Sequence, residues 1–322
     1  MANNSEREEI LAFVAEKYYI EDKRQTDIAE MIGLTRSAVS RMLTEAREKG
    51  IVEIVVHHPF RYDRELEEEL KRRLGLKHVS VVEVANQPNY DDLRKQLGKA
   101  GARLLRKLIE PGFQIGVAWG TTVQATIEAF EKTPISGTKV VQLVGVLGST
   151  RHSYSAQTLV ERLAYRIGGE GVYLYTPFIV ENETTAASLL KDPSVEEAIS
   201  IGRECDIALM GIGTTKPEYC SLYKGNHITK GELDTIRSAS AVGDVCALYY
   251  EIDGSLAKVD FHQRRIGTSF DDLQNIGTRL AVAGNLEKAE AILGAIKGKF
   301  INALVTDNQT ALRVIELDQN QQ

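Results

Sequence analysis

Cysteine is scarce in this chain, with three residues in 322, and proline is scarce as well, with seven. Cys205, Cys220 and Cys246 form no Cys-x-x-Cys pair and have no histidine at metal-ligand spacing. That excludes a disulfide framework and a zinc ribbon, and points to reduced thiols in a cytoplasmic protein. No run is apolar enough for a membrane span: the longest uncharged stretch, between Glu110 and Glu128, carries Gly, Thr and Gln throughout. The N-terminus lacks the basic-then-apolar order of a signal peptide. A cationic excess is missing too. Lys and Arg number 39 against 45 Asp and Glu, a net charge of −6, which argues against coating nucleic acid by bulk attraction. No repeat of 20–50 residues occurs, so solenoids and propellers are excluded. The 43% apolar share is that of a folded protein and not of a disordered or collagen-like chain.

The length suits two or three domains, and the texture changes once, near residues 58–90. Before it lie short helical patterns. Ile10, Leu11, Phe13, Val14 and Tyr18 mark one stripe of a helix over about 5–19, a second helix covers about 25–32, and a third starts after Gly33-Leu34 with Thr35 as N-cap and Gly50 as stop. Residues 51–56 read as a strand, a small wing ended by Pro59, with His57-His58 facing solvent. Residues 61–74 are dense in charge, with Leu66, Leu70 and Leu74 four apart, suiting a solvated linker helix with one greasy seam or a dimer contact.

Beyond that point, apolar runs end in polar or Gly-bearing loops and give way to helices: 115–119, 140–146, 207–210, 280–283 and 303–305. Continuous apolar strands buried on both faces, alternating with helices, imply an α/β fold with a largely parallel, doubly wound sheet. Ligands of such sheets bind beyond the carboxyl ends of the strands.

The N-terminal pattern meets the demands of a helix-turn-helix. Counting from Gln25, the small Ala29 is fifth, Gly33 ninth, Leu34 tenth, Val39 fifteenth and Met42 eighteenth. In the second helix Val39, Met42, Leu43 and Ala46 follow inward spacing, while Ser37, Ser40, Arg41 and Thr44 lie opposite. With Gln25, Thr26, Thr35 and Arg36 these outer residues are the candidate DNA-binding set, hydroxyls, an amide and guanidinium forks that reach base edges and phosphates. An αα-hairpin with an ordinary polar face is the alternative. Residues 1–60 carry a net charge of −3, whereas residues 33–50 carry +2. One such module binds DNA weakly, so two or more must act together.

The candidate effector site starts at Trp119-Gly120-Thr121-Thr122, where a strand ends and a helix opens, leaving backbone N–H groups and hydroxyls for an anion. Gly145 and Gly213 lie at two other strand ends, Asp244 follows a glycine, and Lys288 and Lys224 supply charge. Arg264 is a further cation of lower standing. There is no P-loop, no G-x-G-x-x-G after a strand, no G-x-S-x-G and no H-E-x-x-H. Asp206 and Asp260 have no spacing that marks a general base. The site therefore reads as a binding pocket without metal, cofactor or catalytic residues.

Taken together, Gln25–Ala29, Val39–Leu43, Ala46–Val52, Gly116–Thr122, Val141-Gln142-Leu143, Ala241–Asp244, Val282-Ala283-Gly284 and Ile301–Asp307 resemble the SorC-type, sugar-binding transcriptional regulators of bacteria. The match runs over nearly the whole chain. The resemblance implies a winged helix-turn-helix at residues 1–58, a linker helix and the start of the sensor at 59–90, and an effector-binding and oligomerisation domain at 91–322. It also implies a sensor fold similar to sugar-phosphate isomerases, assembly as a homodimer or homotetramer, and operator affinity controlled by a phosphorylated sugar. The carry-over gives Gly120, Thr121 and Thr122 to the phosphate, Asp244 to ligand hydroxyls and Lys288 to the charged head group. Members that form an imine with deoxyribose phosphate place a Lys after Val-Gln-Leu, where this chain has Val144. The usual second Gly after Gly284 is Asn285. The remaining alternative is a sugar-phosphate isomerase or deaminase with a helix-turn-helix attached.

Overall fold

The computed structural model describes residues 2–52, 61–84, 89–147 and 155–320. The chain divides into two compact units, Met1–Pro59 and Phe60–Gln322.

The first unit holds α1 (Ala2–Tyr19), α2 (Gln25–Ile32) and α3 (Arg36–Glu48). Leu11, Val14 and Ala15 of α1 pack with Ile28, Ala29, Val39, Met42, Leu43 and Ala46 in one core. Local chemistry sets the joints. Gly33 ends α2 at φ 67°, and the Thr35 hydroxyl accepts the Ala38 N–H at 3.2 Å to start α3. Arg7 meets Glu45 at 2.6 Å and ties α1 to α3. Two expectations change. Ile10 and Phe13, assigned to the buried stripe, are 42% and 39% exposed, because the partners of α1 cover only the 11–14–15–18 face. Leu34 is 47% exposed and does not fix the angle between α2 and α3 from inside the core. Most of the wing strand at 51–56, with His57, His58 and Pro59, lies outside the described residues; Ile51 and Val52 pack against the unit's core.

The second unit opens with α4 (Arg64–Leu74), β1 (His78–Val82), α5 (Tyr90–Leu108), β2 (Gln114–Val117), α6 (Thr121–Ala129), β3 (Lys139–Gln142) and β4 (Glu170–Val172). It continues with β5 (Ile207–Met210), β6 (Gly213–Thr214), β7 (Gly243–Val245), β8 (Leu248–Tyr250), β9 (Thr278–Val282) and β10 (Ala303–Asp307), with further helices between. Seven strands form one sheet in the order β1-β10-β9-β5-β2-β3-β4, every neighbouring pair parallel. From β2 the chain steps outward to β3 and β4, then returns to β2's other side with β5 and runs on to β9 and β10. The direction of winding therefore reverses between β2 and β5, which opens a crevice beyond their carboxyl ends. β6, β7 and β8 form a separate antiparallel sheet, Gly213 opposite Asp244.

The leucine seam of α4 belongs to this unit. Leu66 and Leu70 are buried in the same core as Val79, Val81 and Leu304, Leu74 packs against it, and the buried Glu67 accepts the Val81 N–H at 3.1 Å. This seam is thus neither a solvated linker stripe nor free for a second chain. No helix among the described residues is long and apolar enough to cross a membrane.

Candidate functional site

On α3 the division of faces follows from four apolar positions at helical spacing. Val39, Met42, Leu43 and Ala46 are buried, and Arg36, Ser37, Ser40, Arg41 and Thr44 are exposed, as are Thr26 and Thr35; Gln25 is half-buried. Most polar groups of this face are held only locally. Arg41 Nε reaches the Ser37 carbonyl at 3.4 Å, Thr44 Oγ1 donates to the Ser40 carbonyl at 3.2 Å, and the Thr35 and Ser37 hydroxyls lie 3.0 Å apart. Arg36, at the helix N-terminus, has no hydrogen bond or ion pair among the described residues.

The crevice between β2 and β5 is the second candidate. Trp119, Gly120, Thr121 and Thr122 follow β2, Gly211, Ile212 and Gly213 follow β5, and Asp244, Cys246 and Lys288 close a pit of about 30 Å³. Thr121, Ser221 and Lys288 also line an outer chamber of about 530 Å³, together with Tyr90, Glu218, Tyr219, Lys224, Gly225 and Asn285. Six of the eight effector candidates thus line the pit, and Lys224 stands with Thr121 and Lys288 around the chamber.

Gly145 is the exception. A Cβ there would lie 2.5 Å from the Pro177 carbonyl oxygen, and its N–H donates to the Ile266 carbonyl at 3.0 Å, so this glycine serves chain packing away from the crevice. Thr122 lines the pit, yet its hydroxyl donates to the Val282 carbonyl at 2.6 Å and ties α6 to β9. What Thr122 offers a ligand is its backbone N–H at the helix N-terminus, beside that of Thr121. Arg264 pairs with Glu232 at 2.9 Å, and Asp206 accepts the Gln114 N–H at 2.8 Å; neither lines the crevice. Asp260 flanks the short helix Phe261–Arg264.

The charges in the pit are held by backbone. Lys288 is 8% exposed, and its ammonium donates to the Ile212 carbonyl at 2.8 Å. Asp244 is 6% exposed, and burial pushes its carboxyl up to about 6 against the opposing pull of the Ala247 N–H, Lys288 and Arg265. Gly213 is required beside it, since a Cβ there would fall 1.9 Å from Asp244 Oδ1.

The turn joining β7 to β8, Cys246-Ala247, takes left-handed φ of 54° and 58° without glycine. Both residues in that region make a tight two-residue hairpin turn and cost conformational energy, which the surroundings must offset. Here Asp244 accepts the Ala247 N–H at 3.1 Å, and the buried Arg265 donates to the Cys246 carbonyl at 3.0 Å and to the Thr268 carbonyl at 2.7 Å. Burial pulls the Arg265 pKa down and pushes the Cys246 thiol up to about 12, so the pit holds no thiolate at neutral pH. Among the described residues no group of three or more His, Cys, Asp or Glu is placed to hold a metal.

Sequence reasoning missed Tyr90, Glu218, Tyr219, Ser221 and Arg265. Their only signal was composition, aromatic and charged residues at loop and helix ends, and their meeting depends on how α5 and the 216–225 segment fold back to the switch point.

Comparison with known proteins bears on both sites. Residues 58–316 match the Sugar-bind family model, a sugar-binding domain, and residues 20–61 match the Crp-like helix-turn-helix domain. The deoxyribonucleoside regulator of Bacillus subtilis is 30% identical, covering 96% of this chain and 98% of that one. The sorbitol operon regulator of Klebsiella pneumoniae is 28% identical with the same coverage. The crystal structure of that full-length regulator, SorC, superposes with a TM-score of 0.71 at 27% identity, over 95% of this chain and 98% of that chain. The chain therefore belongs to the SorC family of transcriptional regulators, in which a helix-turn-helix precedes a sugar-binding domain on a mostly parallel α/β sheet.

Proposed function

We propose that this regulator reads double-stranded operator DNA with the outer face of α3, and that a phosphorylated sugar in the β2–β5 crevice sets its operator affinity. The observation that carries the reading is one crevice at the switch point holding the α6 N-terminus, a buried ammonium and a buried carboxylate. An anionic head group suits the Thr121 and Thr122 N–H groups and Lys288, and Asp244 accepts a ligand hydroxyl. Gly120 and Gly213 keep the backbone close to that head group.

The protein acts in the cytoplasm as a homodimer or homotetramer, because a reader unit of net charge −3 presents one short cationic face per chain. Control is linkage: a ligand that binds one quaternary arrangement better than another changes how paired recognition helices meet the DNA. Relatives along nearly the whole chain are named as transcriptional regulators, which favours a regulator over the isomerase or deaminase alternative. Turnover of pentose or hexose phosphates by the purified protein would reverse that preference.

Two substitutions separate the functions. Arg41→Ala weakens operator binding by about 1–3 kcal/mol, roughly 5- to 150-fold, and leaves sugar-phosphate binding unchanged. Lys288→Met does the converse, since a charge-assisted hydrogen bond contributes about 1.5–3 kcal/mol. Gel-shift and calorimetric titrations check both. Unchanged operator binding by Arg41→Ala removes α3 as the reader, and unchanged ligand binding by Lys288→Met removes the crevice as the effector site.

A further inference from the structure

The two parts of the crevice differ too much in size to share the work equally. The pit beside Asp244 has about 30 Å³, room for one or two water-sized groups, whereas the chamber beyond Lys288 has about 530 Å³, within the range of small-molecule pockets. Thr121, Ser221 and Lys288 are common to both. A ligand with its anionic head at Thr121 and Lys288 can therefore send a single oxygen toward Asp244, and its remaining atoms must lie in the chamber.

The chamber's walls suit a sugar. Tyr90, the first residue of α5, and Tyr219 both line it, and each is 42% exposed although the neighbouring apolar side chains are buried. An aromatic ring offers apolar area to the C–H face of a sugar ring without adding charge, and its phenol adds a hydrogen bond at small entropic cost. Glu218 and Lys224 add an acceptor and a donor, and neither has a partner among the described residues. The segment carrying Glu218 and Tyr219 is held in place: Lys216 meets Glu287 at 2.9 Å and Glu290 at 3.8 Å, which joins it to the Leu286–Lys288 turn that supplies the ammonium.

We infer that Tyr90 and Tyr219 form an aromatic subsite that takes the sugar body of the effector and, with Glu218, selects among sugar phosphates. The inference rests on the crevice being the effector site and adds that the ring lies in the outer chamber.

Full-length protein is titrated by calorimetry with inorganic phosphate, ribose 5-phosphate, glucose 6-phosphate and fructose 6-phosphate. Tyr90→Ala and Tyr219→Ala weaken the preferred sugar phosphate at least tenfold and leave inorganic phosphate within twofold of wild type. Tyr219→Phe keeps most of the affinity, and Glu218→Gln changes the ranking of the sugars. Lys288→Met, by contrast, weakens inorganic phosphate and sugar phosphates alike. If both alanine variants bind the preferred sugar phosphate as wild type does, the aromatic subsite is overturned while the crevice stands. If the wild type binds none of the sugar phosphates, the effector reading fails and the subsite with it.

Discussion

Asp244→Asn is predicted to make the ligand-free protein more stable at neutral pH. Burial raises the Asp244 carboxyl from an ordinary 3.8 to about 6, so the folded state holds the proton more tightly than the unfolded chain. Below the unfolded value the group is neutral in both states and contributes nothing. As pH rises from about 4 to 6 the unfolded chain ionises first, stability falls, and above about 6 the full cost is present. At roughly 1.4 kcal/mol per pH unit that cost is about 3 kcal/mol.

Asparagine removes the charge and keeps an oxygen for the Ala247 N–H, now 3.1 Å away. Its new N–H groups recover only part of their lost hydration, which leaves a gain of about 1–3 kcal/mol at pH 7.5. The assay is thermal unfolding of wild type and variant from pH 4 to 8. The difference in stability should plateau above pH 6 and fall by about 2–3 kcal/mol between there and pH 4, while sugar-phosphate binding is lost. A difference that is constant with pH, or a variant less stable at pH 7.5, would refute the assignment of a buried, only partly compensated charge. Stability surrendered at the position proposed to bind the ligand is what a trade of stability for function predicts.

Three further outcomes follow from the packing. Thr35→Ala removes the hydroxyl that accepts the Ala38 N–H and should cost about 1 kcal/mol in the N-terminal unit, read by urea unfolding, with effector binding unchanged. Leu70→Ala, at a fully buried position of α4, should cost about 2–5 kcal/mol in the sensor unit; a change below about 0.5 kcal/mol would return that helix to the role of a solvated linker. Arg36→Ala should lower the slope of log K against log salt by about 0.9 for each phosphate that the guanidinium neutralises, and an unchanged slope would take the α3 N-terminus off the DNA backbone.

What was legible in the sequence was whatever short-range chemistry specifies. The ends of α2 and α3 follow from Gly33 and Thr35, and the inward face of α3 from four apolar residues at helical spacing. β2, β3, β5, β9 and β10 were readable because strands buried on both faces are unbroken apolar runs. β6, β7 and β8 were not, since strands of two or three residues carry no periodicity.

The α4 seam showed that something covers it, and only tertiary structure says that the cover is β1 and the C-terminal helix Asn308–Gln319. The same limit governs the crevice. Gly120, Thr121 and Lys288 lie at strand–helix junctions, where the switch-point rule looks for ligands, so they were candidates, and the fold brings them to one pit. Tyr90 and Tyr219 lie more than a hundred residues apart and line one chamber only through the fold. Gly145 shared the local signature of a strand-end glycine, and its reason proved to be the Pro177 backbone.

The central claim is that sugar-phosphate binding and operator binding are coupled. An operator fragment selected from random duplexes is titrated with the full-length protein by fluorescence anisotropy, without ligand and with the sugar phosphate that binds most tightly. The expected result is a change in operator affinity of at least fivefold, about 1 kcal/mol, with operator DNA changing the sugar-phosphate affinity by the same factor. Identical operator affinities with and without saturating ligand would contradict it.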